Sequence, residues 1–122
     1  MKTVAIIAHD GKKAEMVAFL MEYRKILKDE KIKLIATGTT GSHAENAGLE
    51  VKRYQSGPLG GDAQIAAEVV NGNVDMVFFF RDPLGKHPHE PDIQMLMRLC
   101  DHHEIPLATN KATAKFLIES IK

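Results

Sequence analysis

The chain has 122 residues and sixteen basic and sixteen acidic side chains, so its formal net charge is zero. It is 44% hydrophobic and 26% charged, which is ordinary for a domain that buries its own core. This neutral balance argues against a nucleic-acid-binding or membrane-surface protein. The single cysteine, Cys100, excludes an intrachain disulfide and fits a reducing compartment. We expect residues 1–122 to form one domain.

The N-terminal residues resemble a signal peptide only briefly. The apolar run ends at Ala8, which is short for the apolar core of such a peptide. No apolar stretch approaches the ~18 residues that a transmembrane helix needs. We therefore expect a cytoplasmic protein with no membrane association.

Short apolar runs alternate with longer amphipathic segments along the chain. The apolar runs predict strands at Thr3–Ala8, Lys33–Ala36, Glu50–Tyr54, Met76–Phe80 and Ile105–Ala108. The amphipathic segments predict helices at Lys12–Lys28, Ser42–Ala47, Ala63–Val70, Ile93–His103 and Ala112–Ile121. This alternation is typical of a three-layer α/β/α fold with a five-stranded parallel, doubly wound sheet. Ligands of such sheets bind beyond the carboxyl ends of the strands, so site residues should follow strands directly.

The segment ATGTTG follows the second predicted strand and contains Thr37, Gly38, Thr39 and Thr40. Glycine lets the backbone approach a ligand, and a helix N-terminus offers N–H groups and a positive dipole end to a phosphate. The segment lacks the Gly-Lys-Ser/Thr ending of a Walker loop. An ordinary turn with a threonine N-cap explains the same residues equally well.

The segment AHDGKKAE follows the first predicted strand and places Lys12 and Lys13 in the first turn of a helix. Cations are unfavourable there by ~0.3–1 kcal/mol, and a bound anion would offset this cost. Two solvated lysines with Asp10 as the N-cap is the alternative, which the sequence alone favours.

The segment SGPLGGDAQ follows the third predicted strand and carries three glycines before Asp62. Ser56 and Gly57 can offer hydroxyl and backbone donors to a phosphate. Taken alone, Asp62 would be a helix N-cap. Asp10 and Asp82 also lie just beyond strand ends, and Asp92 lies a little further along. Carboxylates crowded at one edge repel, which should raise the pKa of at least one and suit it to act as a base.

The segment after the fourth predicted strand, residues 81–92, contains Asp82, His87, His89 and Asp92. A metal site is one hypothesis, because these side chains ligate zinc and non-haem metals. The usual paired ligand spacings are missing, so an acid–base histidine is the preferred interpretation. We interpret Cys100 as a small buried apolar residue of a helix.

Five segments together resemble the methylglyoxal synthase family, in the family's order and over nearly the whole chain. They are HDGKK at residues 9–13, ATGTTG at 36–41, SGPLGGD at 56–62, FFRDPL at 79–84 and PHEPD at 88–92. The resemblance implies conversion of dihydroxyacetone phosphate to methylglyoxal and inorganic phosphate. A related phosphate-binding domain of carbamoyl phosphate synthetase and the purine-pathway cyclohydrolases shares the fold and the threonine segment. The catalytic acid and histidine are not expected there.

The resemblance also implies a role for each matching position. Asp62 would be the catalytic base, and His89 would polarise the carbonyl, bind the substrate and shuttle protons. His9 would contact the substrate, while Asp10, Asp82 and Asp92 would order the catalytic network. The phosphate would be held by Lys13, Thr37, Gly38, Thr39, Thr40, Ser56 and Gly57.

The family is metal-free, uses no cofactor, forms homohexamers and is inhibited by phosphate, so the resemblance implies the same here. Arg81 departs from those members that have tryptophan, and we expect it to change surroundings or subunit contacts more than chemistry. The main alternative is a non-catalytic domain that binds a phosphorylated effector, which would need neither Asp62 nor His89. An isomerase acting on the same enediolate intermediate is the second alternative.

Overall fold

A computed structural model describes residues 1–85 and 90–122 of the chain. In these residues, five strands form one parallel sheet in the order β3-β2-β1-β4-β5. The strands are β1 (Lys2–Ala8), β2 (Ile32–Ala36), β3 (Lys52–Arg53), β4 (Met76–Phe80) and β5 (Leu107–Ala108). The predicted parallel sheet is confirmed.

Helices cover both faces of this sheet, which confirms the predicted three-layer, doubly wound fold. They are α1 (Lys13–Glu22), α2 (Arg24–Leu27), α3 (Gly38–Asn46), α4 (Gly61–Val70), α5 (Glu90–His102) and α6 (Lys111–Glu119). Side chains of α1, α3 and α6 pack in one core cluster, whereas those of α4 and α5 pack in a second cluster. None of the described helices is long and apolar enough to cross a membrane.

The central strands are buried on both faces because their side chains alternate between the two clusters. Val4 and Ile6 of β1 enter the cluster with α1, and Ala5 and Ile7 enter the cluster with α4. Successive residues of a strand point to opposite faces, so a strand covered on both sides reads as a continuous apolar run. This is why the sequence runs TVAIIA and MVFFF predicted strands well.

The exact bounds of several elements differ from the predictions. The helix expected over Lys12–Lys28 is divided at Tyr23, whose φ is −107° and ψ is 23°. The division lets Leu27 of the second piece pack into the core. The edge strands are shorter than predicted; β3 is only Lys52–Arg53, and both of its residues are exposed.

Three helices begin two or more residues earlier than the sequence predicts, and each shift affects the site. Helix α3 begins at Gly38 rather than Ser42, α4 at Gly61 rather than Ala63, and α5 at Glu90 rather than Ile93. Glycine, threonine and proline have low helix propensity, so periodicity underestimates these helices at their N-termini. Thr39, Thr40, Asp62 and Asp92, which were expected before their helices, therefore lie in first helical turns.

The topology places a crevice at the carboxyl edge between β1 and β4. The chain leaves β1 toward α1 on one face and leaves β4 toward α5 on the opposite face. Ligands of open α/β sheets bind where neighbouring strands connect to opposite faces in this way. The loops after β1 and β4 flank this position, and those after β2 and β3 lie beside it.

Candidate active site

The threonine segment forms the first turn of α3 at the end of β2. Thr37 is the N-cap, is 3% exposed, and among the described residues its side chain makes no capping hydrogen bond. The threonine-cap alternative therefore does not account for this hydroxyl. The first N–H groups of a helix lack partners within the helix, and the dipole there favours an anion. Thr39 and Thr40 follow in this turn, so the segment has the donors expected of a phosphate site.

Thr40 also joins this turn to the end of β1. The Ala8 N–H donates to Thr40 Oγ1 at 3.2 Å, beyond the point where β1 and β2 stop pairing. Thr40 is 1% exposed, so the bond is buried. A hydroxyl that accepts one hydrogen bond still has its own hydrogen to donate, so Thr40 can also bind a phosphate oxygen.

Gly38 connects the threonine turn to the next loop. Its N–H donates to the Gln55 carbonyl at 3.0 Å. A Cβ on Gly38 would lie 3.2 Å from both Ser56 N and Tyr54 O, which is tighter than ordinary contact. The backbone N–H of Gly38 is thus occupied, and its part in the site is to let two loops meet. This contact to Gln55 could not be found from sequence, because the bond involves only backbone atoms.

The loop 56–61 is a compact, self-bonded turn rather than a flexible one. Ser56 O accepts from Leu59 N–H at 3.0 Å and from Gly61 N–H at 2.9 Å. Gly60 has a φ of +98°, which glycine adopts without strain. A Cβ on Gly61 would collide with the carbonyl oxygen of Gln55. Gly60 thus supplies the left-handed turn, and Gly61 allows the close backbone packing at the start of α4.

Asp62 lies in the first turn of α4 and is fully buried. The N-cap of this helix is Gly60, so the interpretation of Asp62 as the cap is wrong. The positive end of the helix dipole supports a carboxylate in this turn. Burial of a carboxylate otherwise costs folding free energy, so Asp62 cannot be explained as an ordinary solvated surface residue. Asp62 directly follows Gly61, and Gly61 packs on the loop that carries Ser56.

Lys13 is held against the end of β1. Its Nζ donates to the Ala8 carbonyl at 2.8 Å and lies 3.0 Å from Asp10 Oδ1. The Lys13 side chain is 16% exposed, while the Asp10 side chain is 98% exposed. His9, not Asp10, occupies the cap position of the 3₁₀ turn Asp10–Lys12. The alternative of a capping Asp10 beside two solvated lysines is therefore wrong for Lys13 and Asp10.

His9 joins the loops that follow β1 and β4. It is 4% exposed, and its ring packs edge-to-face on Phe79 with a centroid distance of 5.1 Å. The backbone N–H of His9 donates to the Phe80 carbonyl at 3.1 Å. The Asp82 N–H donates to His9 Nδ1 at 2.9 Å. The structure therefore brings together two residues that the sequence assigned separately.

A cleft of about 740 Å³ extends from His9 toward β5, on the side away from the threonine turn. Arg81 and Glu90 in its lining form an ion pair with an Nη2–Oε1 distance of 3.4 Å. The backbone N–H of Arg81 also donates to the Thr109 carbonyl at 3.2 Å. Sequence reasoning gave Glu90 no part in the site, and no spacing signal marks this pair.

Comparisons with known protein families, sequences and structures identify the family of this chain. The sequence profile of the MGS-like domain family matches residues 19–109. A methylglyoxal synthase of Natranaerobius thermophilus is 56% identical over 119 residues, covering 97% of this chain and 98% of that protein. The chain belongs to the methylglyoxal synthase family. The methylglyoxal synthase of Borreliella afzelii is also 56% identical, covering 99% of this chain and 94% of that protein. The crystal structure of methylglyoxal synthase from Elizabethkingia anophelis matches with a TM-score of 0.88 and 43% identity, over 96% of this chain and 76% of that one.

The remaining residues that the methylglyoxal synthase resemblance implies are only partly placed. Asp92 lies in the first turn of α5 and is half-buried. His87 and His89 fall outside the described residues, so the roles given to them stay predictions. Within residues 1–85 and 90–122, no three His, Cys, Asp or Glu side chains are arranged to hold a metal ion.

Cys100 is buried in α5, as expected for a small apolar residue. Burial raises the pKa of Cys100 to about 11, with a smaller contribution from the Asp101 carboxylate. A thiol with this pKa is protonated at neutral pH and is not a nucleophile. Cys100 therefore has no place in the chemistry of the site.

Proposed function

We propose that this chain is a methylglyoxal synthase that converts dihydroxyacetone phosphate to methylglyoxal and inorganic phosphate. Asp62 removes a proton from the hydroxymethyl carbon and gives an enediolate. The carbon–oxygen bond to phosphate then breaks and phosphate leaves, and the resulting enol gains a proton on its terminal carbon and loses its hydroxyl proton to become methylglyoxal. The enzyme is thus a carbon–oxygen lyase acting on a phosphate ester.

The position of Asp62 carries this proposal. Asp62 is a buried carboxylate in the first turn of a helix, directly after a loop that packs against the threonine turn, and this supports its assignment as the base. The threonine turn, Ser56, Gly57 and Lys13 would hold the phosphate, and His89 would polarise the carbonyl. An effector-binding domain has no use for a buried carboxylate at this point, which favours the enzyme.

The phosphate cradle would also decide the fate of the enediolate. Elimination requires the breaking bond to lie perpendicular to the enediolate plane, where it overlaps the π system. A cradle that fixes phosphate out of this plane favours elimination, and one that fixes it in the plane favours isomerisation. The N–H and hydroxyl donors of the α3 turn, with the Lys13 ammonium, would stabilise charge on the leaving phosphate.

Substitution of Asp62 tests the proposal directly. We expect Asp62→Asn to lower kcat by about a hundredfold to ten-thousandfold, the range for loss of a general base. Calorimetric titration with inorganic phosphate should still detect binding, because the cradle is intact. The matched control is Asp75→Asn at the opposite edge of the sheet, where the carboxylate accepts from the Thr3 N–H. Unchanged turnover in Asp62→Asn, or its failure to fold beside a folded control, would contradict the assigned role.

Further properties of the family extend this proposal. We propose that residues 1–122 act as a single domain in a cytoplasmic homohexamer. The enzyme would need neither metal nor organic cofactor, and inorganic phosphate would inhibit it as a product that competes for the cradle. Nucleic acid and membranes would not be partners.

A further inference from the structure

The turn after β4 carries an inference beyond the proposed reaction. Residues 82–85 read Asp-Pro-Leu-Gly, the residue preferences of a type I turn at its first, second and fourth positions. The Gly85 N–H donates to the Asp82 carbonyl at 3.4 Å, and the Leu84 N–H donates to Asp82 Oδ1 at 3.0 Å. The carboxylate of Asp82 thus closes a turn on its own backbone, as Asp and Asn side chains commonly do.

This turn fixes the direction of the Asp82 peptide N–H. The N–H donates to His9 Nδ1 at 2.9 Å, and the ring it meets is buried and packed on Phe79. Gly11 leaves the room required, since a Cβ there would lie 3.0 Å from Asp82 Oδ2. The turn, the packing of the His9 ring and the glycine at position 11 therefore all support the hydrogen bond from the Asp82 N–H to His9 Nδ1.

That hydrogen bond has a chemical consequence. An imidazole nitrogen can accept from an N–H only if it carries no proton, so this hydrogen bond requires a ring whose Nδ1 is unprotonated. We propose that Asp82 is a positioning residue whose backbone N–H holds His9 as the neutral Nε2–H tautomer. His9 then donates a hydrogen bond from Nε2 to a substrate oxygen without transferring a full proton. The role of the Asp82 carboxylate is to build the turn and not to exchange protons.

The donation to substrate rests on the proposed function, whereas the tautomer does not. Uniformly ¹⁵N-labelled protein can be studied at neutral pH by two-bond ¹H–¹⁵N correlation, which identifies the protonated ring nitrogen of each histidine. His9 is assigned by its loss in His9→Gln. We expect its Nε2 to be protonated and its Nδ1 to have the shift of an unprotonated nitrogen. A protonated Nδ1, or a doubly protonated ring, would overturn the proposal even if the enzyme is active.

Two substitutions of Asp82 separate the turn from the charge. Asp82→Asn keeps an oxygen that can close the turn, whereas Asp82→Ala removes it. We expect Asp82→Asn to keep the His9 tautomer and to have a kcat at least about tenfold above that of Asp82→Ala, with similar KM in both. Equal loss of kcat in both variants, with the His9 tautomer unchanged in both, would assign the role to the carboxylate charge instead. The wild-type spectrum still tests the proposal if Asp82→Ala does not fold.

Discussion

Lys13 illustrates at the residue scale how the fold positions a charge for binding. Its ammonium group contacts the Ala8 carbonyl and the Asp10 carboxylate, and the side chain is largely buried. The sequence indicated an unfavourable cation in a first helical turn. The structure shows that this cation is bonded to the Ala8 carbonyl and the Asp10 carboxylate at the carboxyl edge of the sheet, beside the proposed phosphate site.

Replacement of Lys13 should therefore affect binding more than turnover. We expect Lys13→Met to raise the KM for dihydroxyacetone phosphate by about tenfold or more, since a charge-assisted hydrogen bond to phosphate is lost. The kcat should change less. Steady-state kinetics on Lys13→Met and on Lys12→Met, whose cation pairs with Glu15 at 3.7 Å, provides the comparison. An equal KM in Lys13→Met and the wild type would remove Lys13 from the phosphate site.

The limits of sequence reasoning are clearest at Asp62. Its residue type and its place before a helix fit a cap as well as a base, and no local pattern distinguishes them. Its complete burial and the assignment of the cap to Gly60 argue against the cap, and the role of base remains a proposal. Burial at this point results from packing of two loops, which depends on contacts between distant parts of the chain.

At the scale of elements, the strands and the order of motifs could be predicted, but the starts of α3, α4 and α5 could not. Apolar runs such as MVFFF identify a buried strand without further information. The first turn of α3 has no apolar periodicity, because its residues both begin the helix and contact the neighbouring loop. Gly38 is the clearest example, since its bond to Gln55 has no signature in the sequence.

The junction of loop 56–61 with α4 gives a prediction at this scale. Gly61→Ala places a Cβ on the Gln55 carbonyl, so the backbone must shift; we expect a loss of about 3 kcal/mol in the free energy of unfolding. Activity should fall as well, because Asp62 is the next residue. The control is Gly72→Ala, where φ is +77° and a Cβ meets nothing within 4 Å.

We expect this control to lose about 1–2 kcal/mol from left-handed strain alone and to keep its activity. Urea denaturation and steady-state assays of both variants make the measurement. A Gly61→Ala protein as stable and active as Gly72→Ala would show that the junction is not tightly packed.

On the scale of the whole molecule, the doubly wound order explains why residues far apart in sequence lie at one edge of the sheet. The loops after β1 and β4 meet at the crevice between these strands, and His9 and Asp82 are hydrogen-bonded across it. Beside it, the loops after β2 and β3 are joined by the hydrogen bond from the Gly38 N–H to the Gln55 carbonyl. Parallel strands ending at one edge made this clustering predictable, whereas the individual bonds were not.

The proposed hexamer also belongs to this scale. Among the described residues, Leu84, Phe116 and Leu59 expose 94%, 82% and 73% of their surface, and subunit contacts would cover such side chains. We expect native mass spectrometry to give six times the chain mass of 13.5 kDa. A fully active monomer would contradict the assembly while leaving the reaction untouched.

The most direct test of the central claim follows both products of the reaction. Purified protein, treated with a chelator, would be supplied with dihydroxyacetone phosphate, and inorganic phosphate and methylglyoxal would be measured together over time. The account predicts equal molar release of the two products, and none with Asp62→Asn. Formation of glyceraldehyde 3-phosphate without phosphate release would instead show an isomerase, and absence of any product despite binding of the substrate would show an effector-binding domain.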